Sequence, residues 1–99
     1  MYKTIGEIKR KNKEKGGHWF SKNTLEFFRS EVYPKVYDGC FFITSEKFED
    51  HPRLYTIRQA KSNGDIRTVG EFQAYVSLEH AKDGIRKCII RELLFSPTS

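Results

Sequence analysis

Long hydrophobic runs, a cysteine framework and an apolar leader are all missing from this sequence. No stretch approaches the roughly 20 apolar residues that cross a bilayer, and the first residues, MYKTIGEIKRK, contain no apolar leader segment. The two cysteines, Cys40 and Cys88, stand far apart, which excludes a disulfide-rich scaffold and favours two free thiols. We therefore expect an intracellular protein without membrane segments.

Motifs for catalysis and for metal or cofactor binding are also missing. The histidines His18, His51 and His80 and the two cysteines never fall into metal-ligand spacing such as C-x-x-C or H-x-x-x-H. The sequence contains no G-x-S-x-G, no P-loop and no G-x-G-x-x-G. We expect no catalytic residue, no metal and no cofactor, and hence a protein that is not an enzyme.

Aromatic residues and positive charge are plentiful. Eight Phe, five Tyr and one Trp can supply a core for a chain of 99 residues. We expect one domain over 1–99, with residues 1–3 and 95–99 frayed. The net charge of +5 is uneven, because residues 1–15 hold six Lys or Arg against two Glu and the rest of the chain contributes only +1. An electrostatic partner should therefore meet the first segment.

A basic helix is predicted at the start of the chain. Thr4-Ile5-Gly6-Glu7 has the spacing of a capping box, in which the Thr hydroxyl accepts a free amide hydrogen and the Glu reaches back. The helix should cover residues 5–15 and end at Gly16-Gly17 in a left-handed conformation. Its apolar residues are only Ile5 and Ile8, so a broad basic face should point to solvent.

Two further helices are predicted. Ser21 is a good N-cap for a helix over residues 22–31, which Pro34 would stop. Leu25, Phe28 and Val32 recur at helical spacing with Phe27 beside them, so this helix should be mostly core. Ser77 should cap the last helix. The apolar repeat of that helix includes Leu78, Ala81, Ile85 and Ile89.

The middle of the chain predicts three strands. CFFITS (40–45), RLYTIRQA (53–60) and DIRTVG (65–70) are rich in β-branched and aromatic residues. Asp38-Gly39 should form a turn, and Asn63-Gly64 between two strands predicts a hairpin with a type I′ turn. The predicted fold is therefore of the α+β class, a three-stranded antiparallel meander with helices packed against it in the order α-α-β-β-β-α.

The basic first helix allows two interpretations. In the first, its charges and those of the sheet contact nucleic-acid phosphates, and Trp19 stacks on a base. The basic residues concerned are Lys9, Arg10, Lys11, Lys13, Lys15, Arg58 and Arg67. In the second, the lysines only keep a marginal surface helix soluble. The order α-β-β-β-α is similar to that of double-stranded-RNA-binding domains, but their last helix starts with a Lys-Lys-rich segment where SLEHAKDG stands here.

Five blocks of the sequence carry a resemblance to a known family: KTIGEIKRKN, HWFSKNTLEFFRS, VYDGCFFITSEKFE, LYTIRQAKSNGDIRTVGEFQAY and AKDGI. Together, over about residues 3–86, they resemble a small single-domain family encoded by bacteriophages, plasmids and integrated elements. The resemblance implies a mobile-element origin and action in the cytoplasm of a bacterial host. It transfers no catalytic residue, cofactor or substrate.

The absence of catalytic motifs, the basic first helix and the family resemblance together favour a binding function. We expect a non-enzymatic binding protein, in its sharpest form a phage or mobile-element inhibitor of a host defence complex, like an anti-CRISPR protein. Its partner would be a host protein or ribonucleoprotein complex, such as a CRISPR effector. The net charge of +5 argues against a DNA mimic, which needs an acidic surface. Direct nucleic-acid binding through the first helix is the alternative.

Exposed aromatic and basic side chains should make the contacts, because these residue types dominate interface energetics. The expected contact residues are Trp19, Tyr33, Tyr37, Tyr55 and Tyr75, with Lys9, Arg10, Lys13, Lys15 and Arg67 on the rim. The acidic loop SEKFED (45–50) offers a second contact, through Glu46, Glu49 and Asp50. The competing interpretations are that the aromatics belong to the core and that the loop is only solvated.

Overall fold

The computed structural model of the protein describes residues 1–95, and the fraying expected for residues 96–99 lies outside the described part. A four-stranded antiparallel sheet in the order β1-β2-β3-β4 forms its centre. The elements are α1 (Ile5–Glu14), α2 (Lys22–Phe28), β1 (Ser30–Val32), β2 (Phe41–Glu46), β3 (Leu54–Ala60), β4 (Ile66–Val69) and α3 (Leu78–Phe95). The α+β class and the antiparallel meander are confirmed. The number of strands differs from the prediction by one.

The predicted helix caps are present. The Thr4 hydroxyl accepts a hydrogen bond from the Glu7 amide at 3.2 Å, and the Glu7 carboxylate accepts one from the Lys3 amide at 2.9 Å. Gly16 ends the turn after α1 with a φ of +89°. At α3 the Ser77 hydroxyl accepts from the His80 amide at 3.1 Å. Side-chain oxygens thus satisfy amide groups that the helix itself leaves without partners.

The second helix is shorter than predicted and is followed by the additional strand. Arg29 adopts the left-handed conformation, with a φ of 53°, and ends α2 one residue after Phe28. The chain then pairs with β2, so that Val32 lies opposite Thr44 in a strand. The prediction that α2 is mostly core is wrong. None of its residues is buried, and Phe27 is 76% exposed.

Both predicted turns are present, but the type I′ conformation occurs at Asp38-Gly39 and not at Asn63-Gly64. Asp38 and Gly39 both have positive φ, 51° and 73°, as a type I′ turn requires, and Tyr37 bridges to Phe41 across them. At Asn63-Gly64 only the glycine has a positive φ, 95°. That hairpin therefore uses a three-residue loop with glycine in the left-handed position, and its predicted type I′ turn is wrong.

Helices cover both faces of the sheet. On the first face, α3 packs on a buried cluster formed by Phe41, Ile43, Ile57, Ala81 and Ile85. We call it the α3 face. On the opposite face, α1 and the segment after it pack on a buried cluster formed by Ile5, Ile8, Phe42 and Ala60. We call it the α1 face. The alternation of side chains along each strand assigns neighbouring residues to opposite faces.

Two close approaches hold the chain around the sheet. A Cβ atom at Gly84 would lie 2.5 Å from the Tyr75 hydroxyl oxygen, so α3 can approach this ring only with glycine at that position. Tyr2 donates its amide to the Gly39 carbonyl at 2.8 Å and its hydroxyl to the Lys61 carbonyl at 2.7 Å.

Across residues 1–95, no helix is long and apolar enough to cross a membrane.

Candidate functional site

A buried ion pair lies on the α1 face between β2 and β3. Glu46 is the last residue of β2 and is fully buried, while Arg58 on β3 is 6% exposed. The Arg58 Nη2 atom lies 3.2 Å from the Glu46 Oε2 atom. Two charged side chains are seldom fully buried unless they are paired and hydrogen-bonded, so the surrounding donors and acceptors decide whether this arrangement is tolerated.

Three hydroxyl groups complete the environment of the carboxylate. Glu46 Oε2 accepts hydrogen bonds from Ser30 at 2.8 Å and from Thr44 at 2.7 Å. Its other oxygen, Oε1, accepts from Thr56 at 2.8 Å. Hydrogen bonds from neutral donors and from the guanidinium replace the water that burial removes. The carboxylate is therefore satisfied from three strands at once.

The guanidinium is equally satisfied. Arg58 donates through Nε to the Thr44 hydroxyl at 3.1 Å and through Nη1 to the Thr68 hydroxyl at 2.6 Å. Within the described residues, every buried side-chain nitrogen and oxygen atom has a hydrogen-bond partner. Burial lowers the pKa of Arg58, and the charge of Glu46 opposes that shift. We call these six residues (Ser30, Thr44, Glu46, Thr56, Arg58 and Thr68) the polar network.

Two aromatic rings enclose the guanidinium. The Arg58 Cζ atom lies 5.2 Å from the centre of the Trp19 ring and 5.4 Å from the centre of the Phe72 ring. Both distances are within the range of a cation–π interaction, which gains strength where water is excluded. The rings thus close the polar network from the outside and are themselves held in place by its charge.

Further phenylalanines extend from Phe72 across the surface. Ring centres are 5.0 Å apart for Phe27 and Phe28, 6.4 Å for Phe28 and Phe72, and 6.5 Å for Phe72 and Phe48. The neighbouring Arg29 lies over the Phe48 ring at 5.6 Å. Phe28 is 43% and Phe72 41% exposed, and Phe27 is more exposed still. We call Phe27, Phe28, Phe72 and Phe48 the aromatic row.

The residue after Phe72 ties the aromatic row to the polar network. Gln73 has a φ of 58°, a strained conformation for a residue with a side chain. Its amide donates to the Thr56 hydroxyl at 2.8 Å, and its side chain donates to the Glu46 carbonyl oxygen at 3.1 Å. These two bonds fix the backbone next to Phe72. The backbone beside an exposed ring is therefore anchored to Thr56 and Glu46, two members of the buried polar network.

The basic residues predicted as contacts lie on the surface but differ in their partners. Lys9, Arg10 and Lys13 are exposed on α1, and no ion pair forms at these three positions within residues 1–95. Lys15 instead pairs with Asp65. Arg67 on β4 is exposed and donates through Nε to the Gln59 side chain at 2.6 Å. Among the described residues, Lys9, Arg10 and Lys13 thus form no ion pair, and the same holds for Lys11 on α1.

The predicted aromatic contacts are half-buried rather than projecting. Trp19 packs edge-to-face on Phe42, with ring centres 5.7 Å apart, and belongs to the α1 face. Tyr33 donates its hydroxyl to Ser45 at 3.2 Å and stacks 6.0 Å from Tyr55 on the α3 face. The remaining two, Tyr37 and Tyr75, also pack against the α3-face core. All five rings support the sheet.

The acidic segment requires a correction. Glu46 belongs to a strand rather than to the loop, and its buried carboxylate cannot reach a partner. Arg58, which we expected to touch phosphates, is buried with it. Glu49 is exposed in the loop with a φ of 39°, and its carbonyl accepts from the Lys47 ammonium at 2.8 Å. Only the second half of the predicted acidic contact faces solvent.

Sequence reasoning missed the exposed rings of the aromatic row. The helical repeat of Phe28 with Leu25 and Val32 predicts a core position, whereas Phe28 is 43% exposed. A partial signal was present, since adjacent residues such as Phe27 and Phe28 lie about 100° apart around a helix, so at least one of the two rings falls at the edge of an apolar face. Phe72 follows Gly70 outside any periodic segment, so no pattern revealed its neighbours.

Comparison with known proteins gives one match. A model of a family of unknown function, DUF7447, matches residues 4–86. No curated protein and no solved structure matches the chain. In residues 1–95, no three His, Cys, Asp or Glu side chains lie together as metal ligands do.

Proposed function

The chain belongs to the DUF7447 family, whose function is unknown, and from its surface we propose that it is a non-enzymatic binding protein. The partner is a protein, and it docks on the aromatic row. Phe27, Phe28 and Phe72 form the centre of the contact, and Arg29 lies at its rim. Aromatic and arginine side chains are the residue types that contribute most to binding free energy in protein interfaces.

One observation carries this proposal. Three exposed phenylalanine rings touch one another in a row, although rings of this size are normally used to fill the core of a small domain. Scattered apolar side chains are common on protein surfaces, but a continuous apolar patch marks an interaction site. The desolvation of these rings by a partner would supply the favourable free energy of docking.

The support beneath the row favours docking with little rearrangement. Phe72 rests on the Arg58 guanidinium, and its backbone is fixed through Gln73. A ring that is already held loses little conformational freedom when a partner arrives, which improves affinity without any additional contact. We therefore place the strongest hot spot at Phe72 and Phe28, with Phe27 as the most accessible ring.

In its sharpest form the proposal is an inhibitor that acts in the cytoplasm of a bacterial host. The partner would be a host protein or ribonucleoprotein of a defence complex, with a CRISPR effector as the example to test. The support for this form is the resemblance to proteins encoded by mobile elements. Co-expression with an effector should protect a plasmid that the effector targets. Unchanged plasmid clearance across the effector types would reject this form and leave the docking surface open to other partners.

A matched pair of variants tests the docking surface directly. Phe27→Ser removes the most exposed ring of the row, whereas Leu93→Ser removes an apolar side chain of similar exposure, 79%, from α3. Whichever partner is recovered with the wild-type protein should be lost with Phe27→Ser and retained with Leu93→Ser. Equal recovery with both variants would show that the row is not the docking surface.

A second candidate function rests on α1. Lys9, Arg10 and Lys13 are exposed and free of ion pairs within the described residues, so they can contact phosphates of a nucleic-acid duplex. Binding to duplex DNA or RNA should then weaken steeply as salt is added, because condensed counterions are released. Gel shifts that show no complex at low salt would remove this candidate without affecting the first.

A further inference from the structure

A cavity of about 390 Å³ opens between α1 and the start of α2. Its lining includes Lys9, Asn12, Lys13, His18, Phe20 and Ser21. The volume lies in the range of small-molecule sites, which begins at about 300 Å³. The cavity adjoins neither the aromatic row nor the polar network, so the docking proposal does not use it.

The charge of the cavity is not balanced by the protein. Lys9 and Lys13 lie one helical turn apart, and no carboxylate of the described chain lines the cavity with them. Within the same residues, neither ammonium forms an ion pair and the His18 imidazole forms no hydrogen bond. Like charges four residues apart on a helix repel each other. Lys15, one half-turn further on, does have a carboxylate partner in Asp65.

The walls of the cavity are fixed before any ligand enters. The buried Asn12 side chain donates to the Gly64 carbonyl at 2.9 Å and accepts from the Trp19 amide at 3.3 Å. The Gly17 amide donates to the Asn12 carbonyl at 2.8 Å, and a Cβ at position 17 would lie 2.6 Å from the Asn12 Nδ2 atom. The loop that carries His18 is thus held tightly against α1.

An aromatic ring forms the apolar part of the lining. The Lys9 ammonium lies 5.9 Å from the centre of the Phe20 ring, at the outer limit of a cation–π contact. Phe20 packs in turn against Trp19, with ring centres 4.7 Å apart. The cavity therefore combines two cations and an imidazole with an apolar surface that a sugar or a planar base can cover.

We infer that this cavity binds the phosphate monoester of a nucleoside, with the phosphate at Lys9 and Lys13 and the nucleoside against Phe20. A phosphate monoester carries a charge of about −1.5 to −2 at neutral pH, which matches two ammonium groups better than the single charge of a phosphodiester does. The cavity is larger than a phosphate ion requires. Two sources share this chemistry, namely a free nucleoside monophosphate and the 5′-phosphorylated end of a single strand.

The test measures the binding of five probes to the full chain by NMR and calorimetry. The probes are 5′-AMP, adenosine, inorganic phosphate and two short single strands of the same sequence, one with and one without a 5′-phosphate. The variant Lys9→Gln/Lys13→Gln empties the cavity of its ammonium groups. Lys87→Gln/Arg91→Gln removes the same number of charges from exposed positions on α3, outside the cavity. Adenosine should bind more weakly than 5′-AMP by at least about tenfold.

For the free nucleotide, 5′-AMP should saturate and shift the amide signals of Gly17 and His18. The cavity variant should weaken this binding by at least about tenfold, and the control variant by less than about twofold. If the ligand is the 5′-phosphorylated end of a single strand, only the phosphorylated strand should saturate, shift these amide signals and lose affinity in the cavity variant. The inference is overturned if no probe saturates, if both strands bind equally, if both variants weaken binding equally, or if inorganic phosphate binds as tightly as 5′-AMP. None of these outcomes bears on the proposal that a partner docks on the aromatic row.

Discussion

The two faces of the sheet are stabilised by different chemistry. On the α3 face, Phe41, Ile43 and Ile57 pack against the helix in an apolar core. On the α1 face, an apolar cluster fills only part of the surface, and the remainder holds the buried pair of Glu46 and Arg58. The exposed aromatic row lies above that pair and not above the apolar core.

We infer that the α3 face mainly stabilises the fold, whereas the polar network on the α1 face mainly fixes the position of the aromatic row. Apolar packing is favourable and has no preferred direction. The attraction within a buried ion pair is largely offset by the cost of desolvation, so its main effect is to fix the geometry of the groups around it. A hydrophobic core under Phe72 would stabilise the domain as well or better. The polar network instead fixes where one exposed ring lies, as a docking surface requires. Four experiments test this division, in order of expected effect.

The largest effect is expected from breaking the ion pair. Arg58→Met leaves the Glu46 carboxylate buried without its cation and should lower the free energy of unfolding by about 3–5 kcal/mol. The double variant Glu46→Leu/Arg58→Met removes both charges and should recover at least half of that loss, because apolar side chains can replace a buried pair. Urea denaturation measures both values. A loss below about 1 kcal/mol in the single variant would contradict the role of the pair.

A smaller effect is expected from the packing on the α3 face. Gly84→Ala places a Cβ against the Tyr75 ring and should lower the free energy of unfolding by about 1–2 kcal/mol, even though alanine favours helices. Gly6→Ala is the control, since its Cβ would meet only the Thr4 hydroxyl oxygen at 3.6 Å. We expect it to stabilise the protein by up to about 1 kcal/mol. Equal effects would mean that α3 is not tightly packed.

Within the aromatic row, the stability of the protein should respond differently to truncation of Phe72 and of Phe27. Phe72→Ala removes the ring that rests on Arg58 and should cost about 1 kcal/mol of unfolding free energy. Phe27→Ala removes a ring that contacts only its neighbour in the row and should change stability by less than about 0.5 kcal/mol. Thermal unfolding of the two variants compares them directly. A larger loss for Phe27→Ala would contradict the proposed support by the network.

The smallest effect concerns alkaline pH on the α3 face. Burial raises the pKa of Cys40, Tyr55 and Tyr75, which all pack against this core. A raised folded-state pKa stabilises the fold fully below the unfolded value, 9.0 for the thiol, and this contribution disappears as the pH rises through the folded value. Stability should therefore fall as the pH rises above about 9, and less steeply in Cys40→Ala. Parallel profiles in urea denaturation would contradict the burial of the thiol.

Much of the fold could be predicted from local patterns. The caps at Thr4 and Ser77, the turn at Asp38-Gly39 and the three longer strands all depend on residues within a few positions of one another. The short strand β1 could not be found in this way. Its residues continue the helical repeat of α2, and only the pairing with Thr44 and the left-handed Arg29 assign them to the sheet.

The candidate site was harder to predict because charged residues are normally expected on the surface. Glu46 ends one β-like segment and Arg58 lies within the next, and their burial depends on a cross-strand register that local sequence does not show. A partial signal lies in the alternation of Thr44 with Glu46 and of Thr56 with Arg58, which gives two strands one continuous polar side. On α1, the exposure of Lys9, Arg10 and Lys13 agrees with the basic solvent-facing side that the sequence predicts, while their role as contacts stays a prediction.

The closed hydrogen bonding of the polar network has an evolutionary consequence. Since each of its buried atoms already has a partner, a single replacement at one position leaves a neighbour unsatisfied. Members of the family should therefore substitute these positions jointly, keeping the acid and the base together or exchanging both for apolar side chains. An alignment in which Glu46 and Arg58 vary independently would show that the pair is dispensable to the ring above it.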